Sequence, residues 1–182
     1  MLIRIWSRHV GKCAIGLGLL GAAVYFVMIS ITLARIEALS GHVPFDMRPM
    51  GYSLSEAITI LESLGADGRD YYLSRQIPLD MVYPGLLALT LITTIRWFGQ
   101  RLDHPKLLQV GMLLSAAAAV FDYVENIGII AIIWSWPVPS SALVVASSTA
   151  TIAKSVSTIF AVTLVFAIGF YWLRQARANA SS

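Results

Sequence analysis

Asp122, Glu125 and Asn126 stand in FDYVEN (121–126), a polar island between LLSAAAAV and IGIIAIIWSW. Their i, i+3, i+4 spacing puts them on one helix face, which Ile129 continues in one direction and Ala118 and Ser115 in the other. Lys154 occupies a second apolar stretch, ALVVASSTATIAKSVSTIF, on an i+4 ladder of Ala142, Ala146, Ala150, Lys154 and Thr158, flanked by Ser147, Thr151 and Ser157. A buried carboxyl can act as acid or base, Lys154 can stabilise developing negative charge, and Asn126 can orient a ligand. Asp122 and Glu125 against Lys154 alone leave a formal excess of one negative charge. A proton, an arginine such as Arg69 or Arg75, or a cation or basic ligand must then complete the set. The plain alternative is a Lys154–Asp122 pair that merely locks two helices together.

The elements that position these groups are membrane spans. Of 182 residues, 57% are hydrophobic and 13% charged, against roughly 25% charged in soluble domains. Four windows reach the ~20 apolar residues that a spanning helix needs: about 13–34, 79–97, 107–133 and 141–172. The expected fold is all-α, four transmembrane helices in a single membrane domain covering 1–182. At ~1.5 Å per residue, Asp122 lies ~18 Å from Trp134 and Lys154 ~21 Å from Ser140, so the two are nearly level at the bilayer centre. A charge there costs ~2.5–3.5 kcal/mol on insertion scales and is expected to face the bundle interior or a wet cavity.

Arg4, Arg8 and Lys12 precede the first span, Arg96, Arg101 and Lys106 lie between the second and third, and Arg174 and Arg177 follow the fourth. With four spans these segments share one side, which the positive-inside rule makes cytoplasmic, both termini included. The apolar run from Cys13 to Leu33 exceeds a signal peptide's ~7–15 residues and reads as an uncleaved first span. The formal charge of +3 is thus a topology signal, and a nucleic-acid partner is not expected. Cys13 is the one cysteine and forms no internal disulfide.

Between the first two spans, residues 51–78 read as an amphipathic two-helix cap on the outer side. Ser53 with Glu56 forms a capping box, Gly65 ends the first helix, and Leu54, Ile58, Leu61 and Leu64 supply its apolar stripe. A second short helix, capped by Asp67, covers GRDYYLSRQ before Pro78 starts or kinks the second span. Asp80 at the start of that span is explained by the helix dipole, or else lines the mouth of the central cavity together with Tyr83 and Tyr123.

His9, His42 and His104 are scattered and no Cys/His grouping has metal-ligand spacing, so no metal is expected. No nucleotide-binding or nucleophile-elbow motif is present, and no cofactor is expected.

The stretches FDMRPMGYSLSEAITILESLGADGRDYYLSRQIPLDMVYP, FDYVENIGII and TATIAKSVS together resemble a family of small bacterial four-span membrane proteins. The shared pattern is L-G-x-x-G-R-x-x-Y, L-D-x-x-Y-P, D-Y-x-E-N and T-x-x-K, over most of residues 45–160. The resemblance implies a bacterial inner membrane and a single site made of Asp122, Glu125, Asn126, Lys154, Arg69, Tyr72 and Asp80; it brings no activity with it. The expected partners are membrane lipids and a lipophilic or amphiphilic small molecule that is bound or processed. A proton- or cation-coupled carrier is the alternative, and a non-catalytic membrane subunit, homo-oligomeric or with a partner, is the third.

Overall fold

The computed structural model describes residues 2–178 apart from Arg101 and Asp103, with the side chains of 2–8 and 176–178 set aside. Of the residues used above to orient the chain, Arg101 and the side chains of Arg4, Arg8 and Arg177 therefore lie outside the described residues. Everything regular among the described residues is helical. Four stretches are long and apolar enough to cross a membrane: His9–Ser40, Leu54–Gly99, Pro105–Trp134 and Ser141–Gln175.

The first comprises α1 (Leu2–Val27), a π turn at Met28–Thr32 and α2 (Leu33–Ser40). A loop with a 3-10 turn at Phe45–Met47 leads to α3 (Leu54–Tyr71). A second π turn, Tyr72–Gln76, and the short α4 (Ile77–Asp80) precede α5 (Tyr83–Gly99). The chain closes with α6 (Pro105–Trp134) and α7 (Ser141–Ala178).

The cap forms as its residues dictate, with three differences. The capping box is complete, each partner of Ser53 and Glu56 bonding the other's backbone. Gly65 interrupts α3 at φ +63° and ψ −173°, outside helical geometry, and the chain resumes as helix up to Tyr71. That φ suits a residue without Cβ, so the expected helix end appears as a break between two helical segments. The second difference is the buried stripe, which runs through Ala57, Ile60, Leu61 and Leu64, while Leu54 and Ile58 are only half-buried. The buried face of α3 is thus turned by about one residue from the expected stripe. The third is Pro78, which sits in the first turn of α4, so the second span proper begins after the Met81–Val82 turn.

The cap rests on one end of the bundle. Its Ile60, Leu61 and Leu64 join Ile36, Phe45, Tyr72, Ile129, Ile132 and Val144 in a single core. Below it α1 packs along α5, α5 along α6 and α6 along α7, with α5 also touching α7. The first and fourth spans make at most marginal contact with each other, so the four form an open arc. Outward faces carry exposed Leu19, Phe26, Val120, Ile127 and Phe166, as lipid contact requires.

α6 and α7 pack closest, which brings their polar groups together. A Cβ on Gly128 would fall 2.6 Å from Ser147 Cβ, so only glycine permits this approach. On α6 the buried face runs Gly111, Ser115, Ala118, Asp122, Glu125, Asn126 and Ile129, as its spacing implies. On α7 the i+4 ladder meets α6 only in part: Ala142 and Ala146 are exposed, while Ala150 is buried, Lys154 pairs with α6, and Val144, Ser147, Ser148 and Thr151 are buried as well. At 3.6 residues per turn an i+4 ladder drifts about 40° per step, so the ladder's first and last members cannot face one neighbour.

Candidate functional site

The central pairing is met and enlarged. Lys154 Nζ lies 3.1 Å from Asp122 Oδ1 and also forms an ion pair with Glu125 Oε2. The Glu125 side chain has no exposure, Asp122 has 8% and Lys154 16%, so the ammonium is the member nearest open space. Glu125 Oε1 accepts from Thr151 Oγ1 at 2.6 Å. Ser147 extends the network toward the cap, its hydroxyl 2.7 Å from the Tyr52 hydroxyl. The Tyr52 N–H donates to Ser148 Oγ at 2.8 Å. Burial pushes the Tyr52 phenol above its ordinary range, so it stays a neutral hydrogen-bonding group. The loop before α3 is thereby tied to α7 one turn above Glu125.

That loop brings a carboxylate which spacing along the chain does not reveal. Phe45, fully buried, packs at a tilt against Tyr52 and Tyr72 with ring centroids 4.8 and 6.1 Å away. The next residue, Asp46, accepts a hydrogen bond from the Tyr72 hydroxyl and shares a cavity wall with Asp80. Asp46 Oδ1 and Asp80 Oδ2 are both buried without a donor. Asp80 is only 2% exposed, far more enclosed than a helix-dipole partner at an interface would be.

A cavity of about 360 Å³ opens at this point. Asp46, Asp80, Asp122 and Lys154 form its polar part; Met28, Ile29 and Leu33 from the first span and Thr158 and Ile159 from α7 form its flanks. It therefore occupies the gap in the arc, between spans that barely touch. Tyr25 and Tyr83, stacked at 5.2 Å, line it as well.

Several expected members do other work. Asn126 does not face the cavity: its Nδ2 donates to the backbone carbonyl of Asp80 at 2.8 Å, holding the helix break that aims Asp80 inward. Arg69 is committed to the cap, donating to Leu61 O at 2.7 Å and lying over the Trp136 ring at 4.8 Å. With the carbonyls freed by the Gly65 break to satisfy, it supplies no charge to the carboxylates. Arg75 is exposed on the second π turn and, like Tyr123, is not on the cavity wall. Tyr123 packs instead on α5, its hydroxyl 3.0 Å from where a Cβ on Gly85 would stand. Tyr72 reaches the site only through Asp46.

The two π turns are also invisible in the residue pattern. They meet through the buried Thr32 hydroxyl, which bonds Gln76 Oε1, leaving Gln76 Nε2 without an acceptor. Such turns rotate the residues beyond them relative to an unbroken helix. Here they sit beside Met28 and Leu33 on one cavity wall and just ahead of Asp80 on another.

Among the described residues no group of His, Cys, Asp and Glu is arranged to hold a metal ion. Comparison with protein-family models, curated proteins and solved structures finds no match to this chain.

Proposed function

We propose that this chain is an integral membrane protein that binds an amphiphilic small molecule in the cavity between α1 and α7, with the capped end on the outer face. The observation that carries this reading is the cavity itself. Its volume of about 360 Å³ is within the range of small-molecule sites, Asp46 Oδ1 and Asp80 Oδ2 on its wall lack donors, and its flanks are largely apolar side chains of two spans that do not close on each other. A molecule with one polar end and one apolar end fits both halves, and it can arrive sideways from the bilayer.

The orientation is supported by Lys12, Arg96, Lys106 and Arg174, all exposed at the uncapped end. A carrier is less well supported, because it needs a polar route to both sides. Beyond Asp122, away from the cap, the buried face of α6 offers Ala118, Ser115 and Gly111, and the Ser115 hydroxyl is turned back to the Gly111 carbonyl at 2.8 Å. Leu91, Ile95, Ala161 and Ile168 fill the interior from the neighbouring spans. One entrance, toward the lipid and the cap, is what the packing favours.

The test is retention of a ligand through purification. Native mass spectrometry of the detergent-solubilised protein is expected to show a bound amphiphile that solvent extraction releases. The Thr158→Trp variant, which fills the cleft from α7, is expected to lose it while keeping its helical circular dichroism. A wild-type protein that carries nothing, or a variant that retains the same adduct, would overturn the reading.

A further inference from the structure

The cavity's charge balance specifies the polar end of the ligand more narrowly. Asp46, Asp80, Asp122 and Glu125 converge on it or on its Lys154 partner, and Lys154 is their one cationic neighbour among the described residues. Lys154 is already shared between Asp122 and Glu125. Arg48, the nearest arginine in sequence to Asp46, is paired with Glu56 at 2.9 Å, and Arg69 is held by Leu61 O and Trp136. Asp46 takes the Tyr72 hydroxyl on Oδ2, but Asp46 Oδ1 and Asp80 Oδ2 are both buried without a donor. Asp80 Oδ2 is unpartnered in a side chain that is almost wholly enclosed yet lines the cavity. Buried acceptors of this kind demand a donor, and a charged donor most of all.

We infer that the amphiphile bound here is a cation, its protonated amine seated between Asp80 and Asp46 and its alkyl part lying between α1 and α7. This deepens the amphiphile reading and rests on it. An ammonium on an apolar tail supplies several N–H donors and positive charge where both are missing. The Tyr25–Tyr83 pair on the same wall adds aromatic surface, which attracts cations rather than anions. An inorganic divalent ion matches less well, since no metal-ligand grouping is formed among the described residues and much of the wall is apolar. An anionic headgroup would face four carboxyls across a single lysine, a repulsive arrangement.

The experiment uses three photoreactive diazirine probes of equal chain length, an alkylamine, an alkanol and an alkanoate, with the full chain in lipid nanodiscs. Labelling of α1 and α7 peptides is read by mass spectrometry as a function of probe concentration. The amine is expected to saturate at a concentration at least about tenfold below the alkanol, which corresponds to ~1.4 kcal/mol, and the alkanoate not to saturate. Asp80→Asn and Asp46→Asn should each bring the amine to the alkanol's level and leave the alkanol unchanged. Both substitutions are isosteric, and the Asp80 carbonyl that Asn126 holds is untouched, so unchanged alkanol labelling also reports an intact cavity. Equal saturation by amine and alkanol would overturn the charge assignment while leaving the amphiphile reading standing. Saturation by none of the three would overturn the amphiphile reading itself. An amine preference that survives both substitutions would show that these carboxylates do not select the ligand.

Discussion

Removal of the Lys154 ammonium is the sharpest test of the buried cluster, because two carboxylates depend on it at once. Taking away one partner of a buried ion pair costs ~3–5 kcal/mol, whereas replacing a whole pair with neutral groups is close to neutral. Lys154→Met should therefore destabilise the protein by about that amount, leaving Asp122 and Glu125 side by side without a counter-charge. Glu125→Gln should cost less, about 1–3 kcal/mol: Lys154 still has Asp122, but an amide oxygen that keeps accepting from Thr151 Oγ1 turns its NH2 toward the ammonium. Pairing Lys154→Met with Asp122→Asn should recover only part of the loss, because Glu125, the more deeply buried carboxylate, remains stranded. Pairing it with Glu125→Gln should recover more. The triple variant, with all three charges gone, should return to within ~1–2 kcal/mol of the wild type. The assay is unfolding in mixed micelles at rising SDS fraction, followed by tryptophan fluorescence. Single losses that simply add in both double variants would mean that Lys154 touches neither acid, and the cluster described above would be wrong.

Three further outcomes follow from the geometry. Ile60→Asp with Leu61→Asp should detach the cap, seen as protease cleavage within 54–71, while the four spans still insert; loss of insertion would show that this segment is part of the transmembrane core. On a Cys13→Ser background, Ser55→Cys should react with an impermeant maleimide from outside and Lys106→Cys only after permeabilisation, the reverse pattern inverting the topology. The capping box should be acid-labile: hydrogen bonds from the Ser53 backbone and side chain hold the Glu56 carboxyl below its ordinary 4.5. Its contribution is therefore full above about pH 4.5 and lost as pH falls through the depressed folded value. Amide exchange at residues 53–57 should accelerate there, and Glu56→Gln should abolish the pH dependence.

How much of this could be read from the residues depends on whether the signal is local to one helix. Asp122, Glu125 and Asn126 announce themselves because charge in a membrane span is costly and their spacing selects a face. Lys154 is then found by depth alone, since two spans of known ends fix how far down each residue lies. The cap is equally local, written in Ser53, Glu56 and Gly65. The α7 seam is harder to read, because a run of small residues at i+4 winds around the helix and only part of it meets one neighbour. Asp46 belongs to a third kind. Nothing in HVPFDMRP distinguishes it from a solvated loop acid; only the burial of Phe45 between Tyr52 and Tyr72 carries it inward, and that is a tertiary fact.

The same distinction explains why Asp80 takes the cavity-lining one of its two expected places while Asn126 turns to the backbone. Asp80 opens a helix, where a carboxylate can be satisfied by exposed N–H groups and the dipole, so its type and place alone left that reading and a cavity-lining one both open. What turns it inward is a sequence of backbone departures, the π turn at Tyr72–Gln76, the four-residue α4 and the turn at Met81–Val82, pinned from across the bundle by the Asn126 amide. An amide can make that bond to a carbonyl and a carboxylate cannot, so the D-Y-x-E-N stretch divides its labour by chemistry: the acids hold Lys154, and the amide holds the break. Asn126→Asp would therefore remove the clamp and add a fifth acid to a cluster already short of donors. Asn126→Leu would remove the clamp alone, so the difference between the two variants isolates the electrostatic cost from the loss of the hinge.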